Sequence, residues 1–334
     1  MSSFSLGPID DDLSAALLRG LDSVEDKLVI SVATSDAMVQ WTARYLLDAG
    51  GKRARPALVF LAAAFGDMHR PEVVDGACLV ELTHLATLYH DDVMDSAETR
   101  RGIKTAHEVW GNNAAILTGD FLFARASAMS AGLGPDIVKL HAHTFERLCL
   151  GQLNETVGPP EGADPFEHYL EVLSHKTGSL ISAAGIIGAT LGGASPEIVE
   201  TLGRYGEAVG VAFQLADDVL DVRGTPDVSG KIPGTDLREG VPTMPTLLLR
   251  RRVASGDASA HSLETLAAID GDLSSDEALA HAVSLLAADP AVDDTQALAD
   301  RYADEALELV HSLPEGAARD ALEAFTISLV HRSA

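Results

Sequence analysis

Two short segments of the sequence share the pattern Asp-Asp-x-x-Asp. Their acids are Asp91, Asp92 and Asp95 in the first segment, and Asp217, Asp218 and Asp221 in the second. In a helix, residues i and i+4 lie one turn apart, so the outer acids of each segment project from one face. Like charges at this spacing lower helix stability by a few tenths of a kcal/mol, roughly, unless a cation lies between them. Each pattern therefore indicates a cation site.

The chemistry of the donor atoms indicates which cation the two clusters would bind. Carboxylate oxygens without nearby cysteine or paired histidine favour magnesium or calcium over zinc. Magnesium is commonly bound by one or two carboxylates together with substrate phosphates. We therefore predict that each cluster holds a diphosphate through Mg²⁺. The alternative, acids on a solvated surface, would suffice for one cluster but is disfavoured by the repetition of the pattern.

Basic residues are concentrated around these acids although the chain is strongly acidic. It has 24 lysines and arginines against 50 aspartates and glutamates, a formal charge of -26. The segment Gly50-Gly51-Lys52-Arg53-Ala54-Arg55-Pro56 places three cations at the start of a predicted helix, where unpaired backbone N–H groups favour an anion. Further basic groups are Arg100-Arg101, Lys176-Thr177-Gly178 and Lys231. Singly, each would be a surface residue; together they predict two anion sites.

Helices must position these residues. Alanine and leucine dominate, aromatics make up 5% of the chain, and apolar residues recur at i, i+3, i+4 and i+7. This periodicity predicts an all-α fold. The predicted helices lie near 10–32, 36–49, 55–66, 72–97, 112–131, 135–157, 166–193, 196–223, 243–254, 262–287, 292–312 and 315–331.

Length and composition favour one domain, 1–334, with a motif-bearing core at about 36–250 and C-terminal helices at about 262–331. The net negative charge disfavours nucleic-acid binding.

Cys78 and Cys149 lie in apolar segments and are expected to be buried, reduced thiols. We find neither a signal peptide nor an apolar run long enough for a transmembrane helix, which predicts a cytoplasmic protein.

The ordered set of motifs resembles the trans-polyprenyl diphosphate synthase family from about Leu47 to Asp236, with one further point of resemblance at Arg332. The set comprises the Gly50–Pro56 segment, Glu81-Leu82-Thr83-His84, both aspartate clusters, Arg100-Arg101-Gly102, Gly119-Asp120, Lys176-Thr177-Gly178 and Gln214. One position departs from the family pattern. Val241 follows Gly240 where the family usually has a lysine, so we expect a weakened phosphate contact there.

The resemblance implies a single-domain isoprenoid synthase, an all-α helical bundle around a deep central cavity, usually a homodimer, with the two aspartate helices facing each other. It also implies residue roles. The six aspartates would hold two to three Mg²⁺ ions on an allylic diphosphate. That diphosphate would be contacted by Arg100, Lys176, Thr177, Gln214 and Lys231. The diphosphate of isopentenyl diphosphate would be bound by Lys52, Arg55, His84 and Arg101.

By the same resemblance, the activity would be head-to-tail prenyl transfer, with product length set by cavity depth. Ala86 and Thr87, five and four residues before Asp91, are small, and the helix after Asp120 offers further small residues. These are Ala124, Ala126, Ser127, Ala128 and Ser130. We therefore expect a product of about six to ten isoprene units, suited to a quinone side chain.

The motifs leave three alternatives to this activity. One is a short-chain farnesyl or geranylgeranyl diphosphate synthase. Another is a non-catalytic subunit of a heteromeric synthase, although such subunits tend to lack the aspartate motifs. A terpene cyclase is disfavoured, because that family normally replaces the second aspartate cluster with an Asn-Ser-Glu type of metal site.

Overall fold

A computed structural model describes residues 9–224 and 233–330. The described chain is predominantly helical, which confirms the all-α prediction. A two-stranded antiparallel hairpin was not predicted; it pairs β1 (Thr99–Arg100) with β2 (Ile103–Lys104). None of the described helices is long and apolar enough to cross a bilayer.

Within the described residues, most helices are joined by short connections. The first ten are α1 (Asp11–Ser31), α2 (Ala37–Asp48), α3 (Ala54–Ala63), α4 (Pro71–Met94), α5 (Ala106–Trp110), α6 (Asn112–Leu133), α7 (Pro135–Val157), α8 (Pro165–Leu173), α9 (Ser179–Gly192) and α10 (Pro196–Arg223). A π-helical segment, Ser174–Gly178, joins α8 to α9. The remaining helices are α11 (Thr235–Glu239), α12 (Met244–Ser255), α13 (Ala260–Ile269), α14 (Asp276–Ala287), α15 (Pro290–His311) and α16 (Ala317–Val330).

Contacts within the chain define two compact units. Unit 1 comprises Met1–Arg147, Ser179–Gly206 and Leu309–Phe325, and unit 2 comprises Leu148–Gly178, Glu207–Glu308 and Thr326–Ala334. In unit 1, α4 packs against α3, α6 and α9, which explains why it is apolar around most of its circumference. Close approach of α9 to α3 requires glycine, since a Cβ at Gly188 would lie 2.1 Å from the carbonyl oxygen of Val59. The prediction of a single domain stays a prediction.

The core of unit 2 is built from apolar side chains of α8, α10, α12, α14 and α15. Its fully or nearly fully buried members include Leu215, Met244, Leu249, Leu286 and Val292. α8 has a strongly one-sided apolar face, and its Pro165 at the first turn and capping residue Asp164 define where it begins. This core supports α10, the helix that carries the second aspartate cluster.

Several local predictions were wrong. The helix expected at 262–287 is two helices, α13 and α14, because Ser275 caps a new helix by accepting a hydrogen bond from the N–H of Ala278. The helix expected at 72–97 ends at Met94, and the hairpin and α5 follow it. Cys78 is buried as expected, whereas Cys149 is exposed; both are free thiols.

Candidate active site

The first aspartate cluster lies at the C-terminal end of α4, in unit 1. Asp91 is half-buried and Asp95 is exposed, and the N–H of Asp95 donates to the carbonyl oxygen of Asp91 at 2.8 Å. Asp92 has no exposed surface. One turn of helix therefore presents the outer acids outward while the central acid faces the protein.

The hairpin after α4 supplies the cation that Asp92 faces. Arg100 Nε donates to Asp92 Oδ1 at 2.7 Å. The hairpin is attached to the helix end, because the N–H of Ala97 donates to the carbonyl oxygen of Asp92 and Thr105 Oγ1 donates to that of Ala97. Burial raises the pKa of the Asp92 carboxyl, and the adjacent Arg100 guanidinium opposes that shift.

The second oxygen of Asp92 fits a role in metal binding. Asp92 Oδ2 is buried, and it has no hydrogen-bond partner within residues 9–224 and 233–330. Over the same residues, no three His, Cys, Asp or Glu side chains form a ready-made metal cage. A buried carboxylate oxygen without a hydrogen-bond partner is the type of donor that Mg²⁺ prefers.

A cationic group lies around the loop before α3, also in unit 1. Lys52 is exposed, and Arg55 is half-buried. Arg101 Nη1 donates to the carbonyl oxygens of Leu46, at 2.8 Å, and of Gly50, which holds this arginine against the loop. Burial lowers the pKa of Arg55 and of Arg101; the Glu81 carboxylate opposes that shift in both, and neighbouring arginines add to it. Crowded cations of this kind favour binding of an anion.

His84 on α4 belongs to the same cationic surroundings. Burial lowers its pKa well below the ordinary value, and Arg55, Arg101 and Arg100 lower it further. The imidazole is therefore neutral near pH 7 and offers one N–H donor. This state suits a hydrogen bond to a phosphate oxygen.

Arg53 lies within the same loop but has a different role from Lys52 and Arg55. Its side chain is buried and contacts two carboxylates, Glu25 of α1 through Nε and Glu81 of α4 through Nη1, at 2.5 and 2.6 Å. Arg53 also has a left-handed backbone, with φ of 52°. The buried ion pairs hold the loop to α1 and α4.

The second aspartate cluster lies near the C-terminal end of α10, in unit 2. Asp217 and Asp221 are half-buried, and Asp218 is 3% exposed. Asp218 Oδ2 accepts hydrogen bonds from the hydroxyl of Tyr169 at 2.9 Å and from the N–H of Met244 at 3.1 Å. Burial raises the pKa of Asp218 well above its ordinary range, and these two donors oppose the shift.

The predicted phosphate-binding residues of unit 2 lie in the π-helical segment and on α10. Thr177 Oγ1 donates to Gln214 Oε1 at 3.2 Å. The two helical segments can approach closely because Gly210 has no side chain. A Cβ at this position would lie 2.7 Å from the Cα of Gly178. Lys176 Nζ is paired with Glu155 Oε2 of α7. Unit 2 thus brings together three of the predicted residues, whereas Lys231 and Arg332 lie outside the described residues.

Comparison with known proteins decides the family. A sequence profile of the polyprenyl synthetase family matches residues 36–286. The chain belongs to this family. It is 41% identical over 324 residues, 97% of this chain and 95% of the relative, to a nonaprenyl diphosphate synthase of Mycobacterium tuberculosis. The predicted enzyme class, prenyltransferase, is therefore confirmed.

Solved structures of family members have the same fold. A geranylgeranyl pyrophosphate synthase from Corynebacterium glutamicum, complexed with calcium and isoprenyl diphosphate, has a TM-score of 0.85 at 38% identity, covering 98% of this chain and 99% of that one. A decaprenyl diphosphate synthase from Rhodobacter capsulatus has a TM-score of 0.85 at 31% identity, covering 96% and 98%. The polyprenyl synthetase fold assigned from the motifs is confirmed.

Two residues of the candidate site were not predicted. Tyr169 contacts the second aspartate cluster, and Glu155 contacts Lys176. Tyr169 lies seven residues before Lys176 on the same helical segment, so its face could have been inferred from helical periodicity. Nothing in the spacing of Glu155 signals its partner.

Proposed function

We propose that this chain condenses isopentenyl diphosphate with an allylic diphosphate, head to tail, to make a medium- or long-chain all-trans polyprenyl diphosphate. We further propose that it requires two to three Mg²⁺ ions. The observation that carries this proposal is the presence of both complete aspartate clusters in a chain of the polyprenyl synthetase family. The calcium and isoprenyl diphosphate of the Corynebacterium glutamicum structure support a divalent-ion requirement.

In unit 1, Asp91, Asp92 and Asp95 would supply metal ligands, and Arg100 would contact the allylic diphosphate. Lys52, Arg55, His84 and Arg101 would bind the diphosphate of isopentenyl diphosphate. The neutral His84 would donate a hydrogen bond to a phosphate oxygen of isopentenyl diphosphate. The arginines would neutralise the negative charge of that diphosphate. Binding the acceptor in one orientation removes much of the entropy cost of a bimolecular reaction.

In unit 2, Asp217, Asp218 and Asp221 would supply metal ligands, and Lys176, Thr177 and Gln214 would contact the allylic diphosphate. Lys231, which lies outside the described residues, is also proposed to contact the allylic diphosphate. Magnesium, when bound, neutralises charge on the leaving diphosphate. Lys176 carries Glu155 as its partner in this structure, so substrate phosphate would compete with that carboxylate for the ammonium group.

The reaction breaks the C1–O bond of the allylic substrate and forms an allylic cation and diphosphate. The double bond of isopentenyl diphosphate attacks the cation, a carbon–carbon bond forms, and loss of one proton regenerates an alkene. The released diphosphate takes that proton. The role of the protein side chains is to bind both diphosphates and to stabilise the charge that develops on the leaving group.

The relatives support a medium or long product, because they are named nonaprenyl and decaprenyl diphosphate synthases. We propose a quinone side chain as its use. The second candidate is a short-chain product, which the similarity to the geranylgeranyl pyrophosphate synthase of Corynebacterium glutamicum favours. Small residues before Asp91 favour the longer product.

The test of the proposed function uses the purified chain alone, with Mg²⁺, labelled isopentenyl diphosphate and each allylic starter in turn. We expect incorporation of label into products that are sized by chromatography after dephosphorylation. Chelation of the metal should abolish incorporation. A chain that incorporates no label with any starter would instead be a non-catalytic subunit.

Product length gives a further prediction. Thr87→Phe is expected to shift the product toward farnesyl or geranylgeranyl length, because a ring would replace a small, partly accessible side chain four residues before Asp91. Ala86 has no exposed surface, so Ala86→Phe would also overpack unit 1 by about 1–3 kcal/mol. Thr87→Ser is the matched control. Products of unchanged length from a folded Thr87→Phe enzyme would contradict the cavity-depth argument.

We also propose that the chain is a cytoplasmic homodimer. Part of α6 supports the homodimer, since Ile116 and Leu117 are 40% and 66% exposed in the single chain. Adjacent exposed apolar side chains are typical of an interface. Sedimentation of the purified protein would measure the oligomeric state.

A further inference from the structure

Asp218 is held in place by protein donors on one side. Its Oδ2 accepts from the Tyr169 hydroxyl at 2.9 Å and from the N–H of Met244 at 3.1 Å. Both side chains are nearly inaccessible, with Tyr169 8% and Asp218 3% exposed. A buried hydrogen bond to a carboxylate is stronger than one between neutral groups, so this contact fixes the rotamer of Asp218.

Three helices of unit 2 meet at this carboxylate. Tyr169 comes from α8, Asp218 from α10 and Met244 from the first residue of α12. The ring of Tyr169 packs in the same core as Leu215, Val219 and Met244, so the position of its hydroxyl is set by apolar packing. Because the core fixes the ring, the hydroxyl also holds the Asp218 carboxylate in a fixed position relative to the core.

The same helical segment also carries the predicted phosphate ligands. α8 continues through the π-helical segment that contains Lys176 and Thr177, and Thr177 is bonded to Gln214 of α10. Side-chain hydrogen bonds from Tyr169, Ser174 and Thr177 thus join this segment to α10 along its length. The bond from Tyr169 fixes the position of the metal ligands on α10 relative to the phosphate-binding residues.

We propose that Tyr169 is a positioning residue that orients the second aspartate cluster for binding of Mg²⁺ and diphosphate. This inference rests on the proposed function of that cluster. Residues that hydrogen-bond to a metal ligand without contacting the metal contribute about 10- to 100-fold to metal affinity or activity. The competing explanation is that Tyr169 only fills the core and Asp218 merely satisfies its hydroxyl.

Tyr169→Phe separates these explanations, because it keeps the ring and removes only the hydroxyl. We expect calorimetry with Mg²⁺ and inorganic pyrophosphate to give binding about 10- to 100-fold weaker than in the unchanged protein. The KM for the allylic diphosphate should rise and that for isopentenyl diphosphate should not. Tyr302→Phe, at a partly buried tyrosine packed against the same core, is the control and should change neither quantity.

A second comparison tests whether Tyr169 acts through Asp218. In an Asp218→Ala background, Tyr169→Phe should add little further loss of binding, because the carboxylate that the hydroxyl orients is already absent. Unchanged binding of Mg²⁺ and pyrophosphate by a folded Tyr169→Phe protein would overturn the inference, as would independent, additive losses. Failure of the proposed function is distinguishable, since the unchanged protein would then incorporate no isopentenyl unit.

Discussion

Asp217→Asn is expected to lower kcat/KM for the allylic diphosphate on the order of 10²- to 10³-fold, the scale for removing one group that stabilises charge in a transition state. The amide keeps the size of the side chain and removes its charge. Asp217 is half-buried on α10 next to the buried Asp218, so the helix and its packing should be retained. Steady-state kinetics at saturating isopentenyl diphosphate measures the effect.

The matched control is Asp304→Asn, an exposed acid on α15. It removes one negative charge from the same strongly acidic protein and should leave kcat/KM unchanged within about twofold, since exposed charges are largely screened at physiological salt. Raising the Mg²⁺ concentration should recover part of the activity of Asp217→Asn. Equal activity of the two variants would show that Asp217 does not bind the metal–diphosphate complex.

Much of the fold follows from the apolar periodicity of the sequence. α10 was predicted within a few residues because it is long and its apolar positions recur at helical spacing, and α4 because it is a long, mostly apolar segment. The hairpin after α4 was missed because strands of two residues carry no alternating pattern. The break between α13 and α14 was missed although Gly271 and the capping residue Ser275 mark it, because alanine and leucine recur on both sides of the break.

The candidate site was predictable at the level of residue type, but its contacts were not. Like-charge spacing marked Asp91, Asp92 and Asp95 as one cluster, yet it does not show that Asp92 faces Arg100 while Asp95 is exposed. The Tyr169–Asp218 bond joins residues 49 positions apart in the chain. Spacing along one helix cannot indicate a partner on another helix, and such contacts require the packed structure.

Arg53→Met is expected to lower the free energy of unfolding by about 3–5 kcal/mol, because it removes the cation that is hydrogen-bonded to both Glu25 and Glu81. Glu81 is the more deeply buried of the two, with its side chain 3% exposed, and Glu25 is 30% exposed. Arginine and methionine are both non-glycine residues, so the backbone strain at φ of 52° is common to both proteins. Urea unfolding at fixed protein concentration measures the loss.

Arg44→Met is the control for the loss of a cation. Arg44 pairs with Asp48 on the exposed face of α2 at 3.0 Å, and such i,i+4 pairs contribute about 0.3–0.5 kcal/mol. Adding Glu81→Gln to Arg53→Met should recover part of the stability, because it removes the stranded charge. Recovery would show that the pairing with Glu81 is the structural task of Arg53. Arg53 would then hold the loop to α1 and α4, whereas Lys52 and Arg55 on either side of it keep their proposed role toward the substrate diphosphate.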